Sequence, residues 1–133
     1  IQVTEDDSGV WMFYSSKKVN KDDLRFFPTN NFITACIGLN NELCNSRSYI
    51  VPNDYKMILL LTDGVTDLLG DNDIKKIIEK KKDKDILKNI INVAVNKDLK
   101  LKVPLRLKQK YQGKFTVPIH GRDNASGVIF IKD

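Results

Sequence analysis

Two acidic turns stand out for chemistry: Asp63-Gly64 and Asp123-Asn124. Each lies against a short apolar run, with Asp63 just after 56–61 (KMILLL) and Asp123 just before 126–132 (SGVIFIK). Two carboxylates without a neighbouring His or Cys make a hard, oxygen-rich donor set, which suits Mg²⁺ or Mn²⁺ rather than zinc. Gly64 lets the backbone approach closely behind Asp63. The competing reading is that both aspartates are ordinary turn formers or helix caps. Other chemistries find less to work with. His120 is the single histidine, expected as a turn residue or a satisfied polar group, and there is no GxSxG, P-loop or GxGxxG pattern. Cys36 and Cys44 form no CxxC pair and are expected as reduced thiols.

The elements around these turns decide whether they meet. KMILLL has the near-continuous apolar character of a strand covered on both faces, and SGVIFIK reads as a closing strand. If the two are antiparallel neighbours, Asp63 and Asp123 converge at one end of the sheet. Asp71 is expected to cap a helix with Ile74, Ile77 and Ile78 at helical spacing. A second amphipathic helix is expected over Asp83–Asn96, with Ile86, Leu87, Ile90, Ile91 and Ala94 inward. Upstream, Ser8–Tyr14 (SGVWMFY), Asn31–Ile37 and Tyr49–Val51 read as strands, the second ended by Gly38. Asn20 is placed to cap a short helix through Phe27, with Asp22 and Asp23 at its positive end and Pro28 stopping it. Lys97–His120, with alternating Leu99, Leu101 and Val103, suggests a hairpin or a long excursion. The expected class is α+β in one unit.

The 133 residues carry 22 Lys/Arg and 17 Asp/Glu, a net charge of +5. Hydrophobic residues make up 41% of the chain, enough for a folded core and against a collagen-like or low-complexity chain. Between Lys75 and Lys114 there are 14 basic and 4 acidic residues, so the remainder is net acidic. That block is either a solvated helix face followed by a basic loop, or a surface for an acidic partner. It lacks the regular aromatics of a single-strand binder, so nucleic acid is not an expected partner. The longest apolar run, Met57–Leu61, falls far short of the ~20 residues of a membrane span, and no secretory signal is visible. A cytoplasmic location is the expectation. The first residue is Ile1, not Met, so the chain is expected to be a fragment, a processed product or a piece with a chosen boundary.

Four segments, in order, resemble motifs of the metal-dependent type 2C (PPM family) serine/threonine protein phosphatases. Ile58–Leu69 (ILLLTDGVTDLL) is similar to the "SDG-x-(T/W)-D" motif. Gly121-Arg122-Asp123-Asn124-Ala125-Ser126 with Val128–Ile131 is similar to the closing "(G/S)-x-DN-(I/A/M)-(T/S)" motif and last strand. Asn31–Gly38 (NFITACIG) resembles "N-x-(I/L)-T-R-A-L-G", with Ala35 in place of the Arg. Gln2–Ser8 (QVTEDDS) resembles "Q-L-T-x-D-H-S", with Asp7 in place of the His.

The resemblance implies a PPM-type α-β-β-α sandwich, of which residues 1–133 supply the C-terminal part, with 97–120 an insertion. It implies a binuclear Mg²⁺ or Mn²⁺ centre in which Asp63 and Asp123 bind the second metal, with Gly64 and Asn124 in support. The implied activity is hydrolysis of phosphoserine and phosphothreonine by metal-activated water. This chain offers no catalytic residue beyond those metal ligands. The family's N-terminal acidic residue, DGxG segment and phosphate-binding Arg have no match here. The implied partners are therefore a phosphoprotein substrate and the N-terminal half of the domain, without which the chain is expected to be inactive. The alternative is a catalytically inactive, phosphatase-like binding or regulatory module that uses its basic 75–114 face.

Overall fold

The computed structural model describes residues 1–16, 19–27, 32–38, 47–80, 85–96, 104–110 and 123–132. The chain divides into two compact units. One comprises Ile1, Val51–Leu101 and Ile119–Asp133, the other Gln2–Ile50 and Lys102–Pro118. Helices and a two-stranded antiparallel sheet make this a mixed α and β protein, compatible with α+β. Among the described residues no helix is long and apolar enough to cross a membrane.

In the first unit, β1 (Met57–Leu61) pairs antiparallel with β2 (Gly127–Ile131), Met57 opposite Ile131 and Leu61 opposite Gly127. Strand side chains alternate between faces. Met57, Leu59, Leu61 and Ile129 pack on the core, which is centred on Val65, Leu69, Ile86, Ile90 and Ala94. The helices are α2 (Asp63–Thr66), α3 (Asp71–Lys80) and α4 (Ile86–Asn96). α4 buries Ile86, Ile90 and Ala94, four residues apart along one stripe, as its periodicity predicts. α3 adds Ile74, Ile77 and Ile78 to the edge of the same core.

Two expectations are corrected here. The strand over 56–61 is not covered on both faces. Leu60, Val128 and Phe130 are 54%, 50% and 54% exposed, because the packed core lies on the opposite face. Asp71 is the first residue of α3 rather than its cap. The Gly70 carbonyl already accepts from the N–H groups of Asp73 (2.9 Å) and Ile74 (3.1 Å), so Asp71 stands at the positive end of the helix.

In the second unit, the strand expected over Ser8–Tyr14 is replaced by α1 (Trp11–Ser15). Ser8 makes one isolated bridge, to Ile33, and its carbonyl then accepts from the Trp11 N–H at 3.1 Å as the chain coils. Val10 is buried with Trp11 and Tyr14 packed against the same cluster, a helical spacing rather than an alternating one. The Trp11 and Tyr14 rings lie 4.9 Å apart.

Asn20 precedes a 3-10 helix, Lys21–Phe26, rather than an α-helix reaching Phe27. Its carbonyl, not its side chain, makes the first bond, accepting from the Asp23 N–H at 3.0 Å. Of the strand expected over Asn31–Ile37, the described part keeps only the bridge at Ile33, flanked by Gly9 N–H to Phe32 O (2.8 Å) and Thr34 N–H to Asp7 O (2.9 Å). Gly38 closes the segment with φ +86°, a conformation glycine adopts readily. Tyr49–Val51 forms no strand; the Tyr49 hydroxyl instead accepts from the Glu5 N–H (3.0 Å). Within Lys97–His120 the described stretch is helical, α5 (Leu105–Lys110), with Leu107 buried. Pro28, Asn31, Cys44, Leu99, Leu101, Val103, His120, Gly121 and Arg122 lie outside the described residues.

Candidate functional site

The end of the β1–β2 ladder brings the two acidic turns side by side. One residue beyond the Leu61–Gly127 pair, the Thr62 N–H donates to the Ser126 carbonyl (3.0 Å), and the Ser126 N–H donates to Thr62 Oγ1 (3.0 Å). The Thr62 hydroxyl lies 3.1 Å from the Asn124 carbonyl oxygen, to which it donates. One short side chain thus laces the start of α2 to the segment that carries Asp123. The chain coils at once after Thr62, whose carbonyl accepts from the Val65 N–H (3.0 Å). Val65 is fully buried and anchors the turn that presents Asp63.

Gly64 is the point of closest approach. A Cβ there would sit 2.5 Å from the Asn124 carbonyl oxygen and 2.9 Å from its carbon. Any larger residue must push the two turns apart, so the glycine expected for close approach is required by backbone on the other turn. Gly127 has a similar role: a Cβ would meet Leu61 Cδ2 at 2.7 Å and Leu60 O at 2.9 Å. Spacing alone marks neither Thr62 nor Gly127. The signal was a hydroxyl residue just past one strand and a glycine opening the other, which acquires meaning only once the register is known.

Both carboxylates are exposed and oriented in the same way. Asp63 Oδ1 accepts from the Gly64 N–H (2.9 Å), and Asp123 Oδ1 accepts from the Asn124 N–H (2.7 Å). Each side chain is steadied by the next backbone amide. Among the described residues neither Oδ2 takes a hydrogen bond or ion pair. As a donor set the pair suits a small hard cation, but incompletely, since such ions take about six oxygen ligands. Among the described residues no cluster of three or more His, Cys, Asp or Glu is poised to hold a metal. No protein-family model, curated protein or solved structure matches the chain.

The remaining candidates do not gather at these turns. An open groove of about 540 Å³ lies between α3 and α4, with Leu69, Ile77, Asn89 and Val93 among its walls. Cys36 is exposed. The basic stretch 75–114 is not a single element. Its described parts are α3 and α4 in one unit and α5 in the other. Lys75 pairs with Glu79 within α3 (3.8 Å), and Arg106 on α5 pairs with Asp23 (2.6 Å). The acidic N-terminal segment is likewise tied internally, Glu5 and Asp7 both pairing with Arg47.

Proposed function

We propose that this chain is the C-terminal half of a PPM-type, metal-dependent serine/threonine phosphatase domain, with Asp63 and Asp123 donating to one Mg²⁺ or Mn²⁺. The observation that supports this most is the lacing of the Asp63-Gly64 turn to the Asp123-Asn124 turn through Thr62, Ser126 and the Gly64–Asn124 approach. The strand register sets the two turns side by side, and the glycine at position 64 permits a backbone approach that any side chain would obstruct. The ordered motif resemblance adds the reaction class.

In this reading the chain's own contribution is positional. The Gly64 and Asn124 amides hold one oxygen of each carboxylate, which leaves the other to face a cation. A bound divalent ion supplies charge neutralisation and a more acidic water, the needs of phosphate-ester hydrolysis. The remaining oxygen donors would come from the other half of the domain, so the isolated chain is inactive. The binding-module alternative has less support, because the described parts of 75–114 are shared between two units and Arg106 is already engaged by Asp23.

The test is Mn²⁺-dependent hydrolysis of a phosphopeptide by the full-length protein, with Asp63→Asn and Asp123→Asn as controls. Turnover that both controls abolish supports the proposal. A folded full-length protein without turnover, or with turnover that survives either substitution, overturns it.

A further inference from the structure

Asp23 is the one charged residue among the buried described residues, 3% exposed in the 3-10 helix. Its Oδ1 accepts a hydrogen bond at 2.6 Å from Nη2 of Arg106, 83 positions away on α5. The pair is asymmetric, with side-chain exposures of 5% for Asp23 and 59% for Arg106. α5 itself is only six residues, too short to hold its helical form unaided. Of its side chains Leu107 alone is buried, while Leu105, Arg106, Lys108 and Lys110 are exposed. Among its described contacts are one apolar anchor, Leu107, and one charged one, Arg106.

We infer that Asp23 and Arg106 form a latch that seats α5 on the 3-10 helix, and that withdrawing Arg106 while Asp23 is ionised opens it. Removing one partner of a buried pair is costly when the charge left behind stays buried. Here that stranded charge is the aspartate, 3% exposed, and lifting α5 away is the movement that would return it to water. Removing Asp23 instead leaves an arginine already largely in solvent. The two deletions should thus have unequal consequences for α5, the loss of Arg106 being the larger.

The charged surroundings fix the pH behaviour. Burial raises the Asp23 carboxyl above its ordinary value. Arg106 pulls it down, Asp22 on the same helix pushes it up, and Arg25 and Lys110 pull it down more weakly. With Arg106 gone, the largest lowering influence is lost, so a closed latch then favours the protonated acid. Acid should close what the Arg106 substitution opens.

The experiment is hydrogen exchange by mass spectrometry on the full chain, read as protection factors at 105–110 and at α1. In Arg106→Gln, protection at 105–110 should fall about tenfold or more near neutral pH, while α1 keeps its protection. Lowering the pH to about 4, near the ordinary carboxylate range, should restore it. The double variant Asp23→Asn/Arg106→Gln, which loses the charged anchor but strands no charge, should be better protected than Arg106→Gln near neutral pH and insensitive to pH. Wild-type protection in Arg106→Gln at neutral pH overturns the latch. So does a double variant as open as the single one, or loss of protection at α1 along with α5.

Discussion

The two units are held together differently. Around β1 and β2 the central side chains, Val65, Leu69, Ile90 and Ala94, are at most 1% exposed and belong to one apolar cluster. In the unit containing α1 and α5 no described buried apolar residue is below 3% exposed, and a carboxylate is buried with them. The first unit is built by amphipathic periodicity: each helix presents a stripe and the sheet presents one face. The second joins short elements through specific polar links, such as Arg47 with Glu5 and Asp7, and Arg106 with Asp23. The first unit carries Asp63 and Asp123, on turns set by strand register, the packed core and the Thr62 hydrogen bonds.

On the proposed function, the largest expected effect is on activity. In the full-length protein, Asp63→Asn or Asp123→Asn should lower phosphopeptide turnover more than about a hundredfold, equivalent to ~3 kcal/mol of lost transition-state stabilisation. Both residues are exposed, so thermal stability should barely change. Turnover against melting temperature separates the two. A mutation in the other unit with an equal effect on turnover and none on stability would place the chemistry elsewhere.

The next effect probes the cores themselves. Ile90→Ala removes a side chain with no exposure and should cost about 3–5 kcal/mol, the upper part of the usual range. Leu24→Ala, at a less enclosed position, should cost about 2 kcal/mol. Urea denaturation of each variant reads the difference. Equal costs would remove the distinction between the units.

Gly64→Ala sharpens the same point within the site. The added methyl meets a backbone oxygen at 2.5 Å, and backbone on the facing turn cannot rotate aside as a side chain could. Overpacking of this kind costs about 1–3 kcal/mol. Because the strain falls between the turns, Mn²⁺ affinity should drop as well, measured by calorimetry on the full-length protein. An unchanged affinity would mean that the approach of the turns is incidental to the site.

The same contrast explains what the sequence discloses. β1, β2, α3 and α4 follow from local patterns, because in that unit the local pattern and the packed arrangement agree. The DG and DN turns follow too, since each abuts an apolar run. Thr62 escapes notice because its partners, Asn124 and Ser126, lie more than 60 residues away. SGVWMFY misleads for a different reason. Its aromatics favour strands by propensity, yet Val10, Trp11 and Tyr14 share one face of a helix, and burial on that face prevails. Asp23 is legible only as a residue near a helix start. Its burial depends on a pairing across 83 positions that no local spacing announces.

The smallest expected effect is the most discriminating for the second unit. Asp23→Asn keeps the shape of the side chain and removes the charge. Arg106 then loses the charge of its partner but lies largely in water, so the cost near neutral pH should stay within about 1 kcal/mol. The pH dependence supplies the sign. Burial raises the folded-state carboxyl above its unfolded value. The folded state therefore binds the proton more tightly. The stability this contributes is fully present below the ordinary carboxylate value and is lost as pH rises through the raised one. An aspartate dominated by its ion pair would show the reverse, gaining stability over the same interval. Urea midpoints from about pH 3.5 to 7 should therefore fall less with rising pH in Asp23→Asn than in the wild type. A variant whose midpoint falls more steeply than the wild type would show that attraction to Arg106, rather than burial, governs this carboxylate.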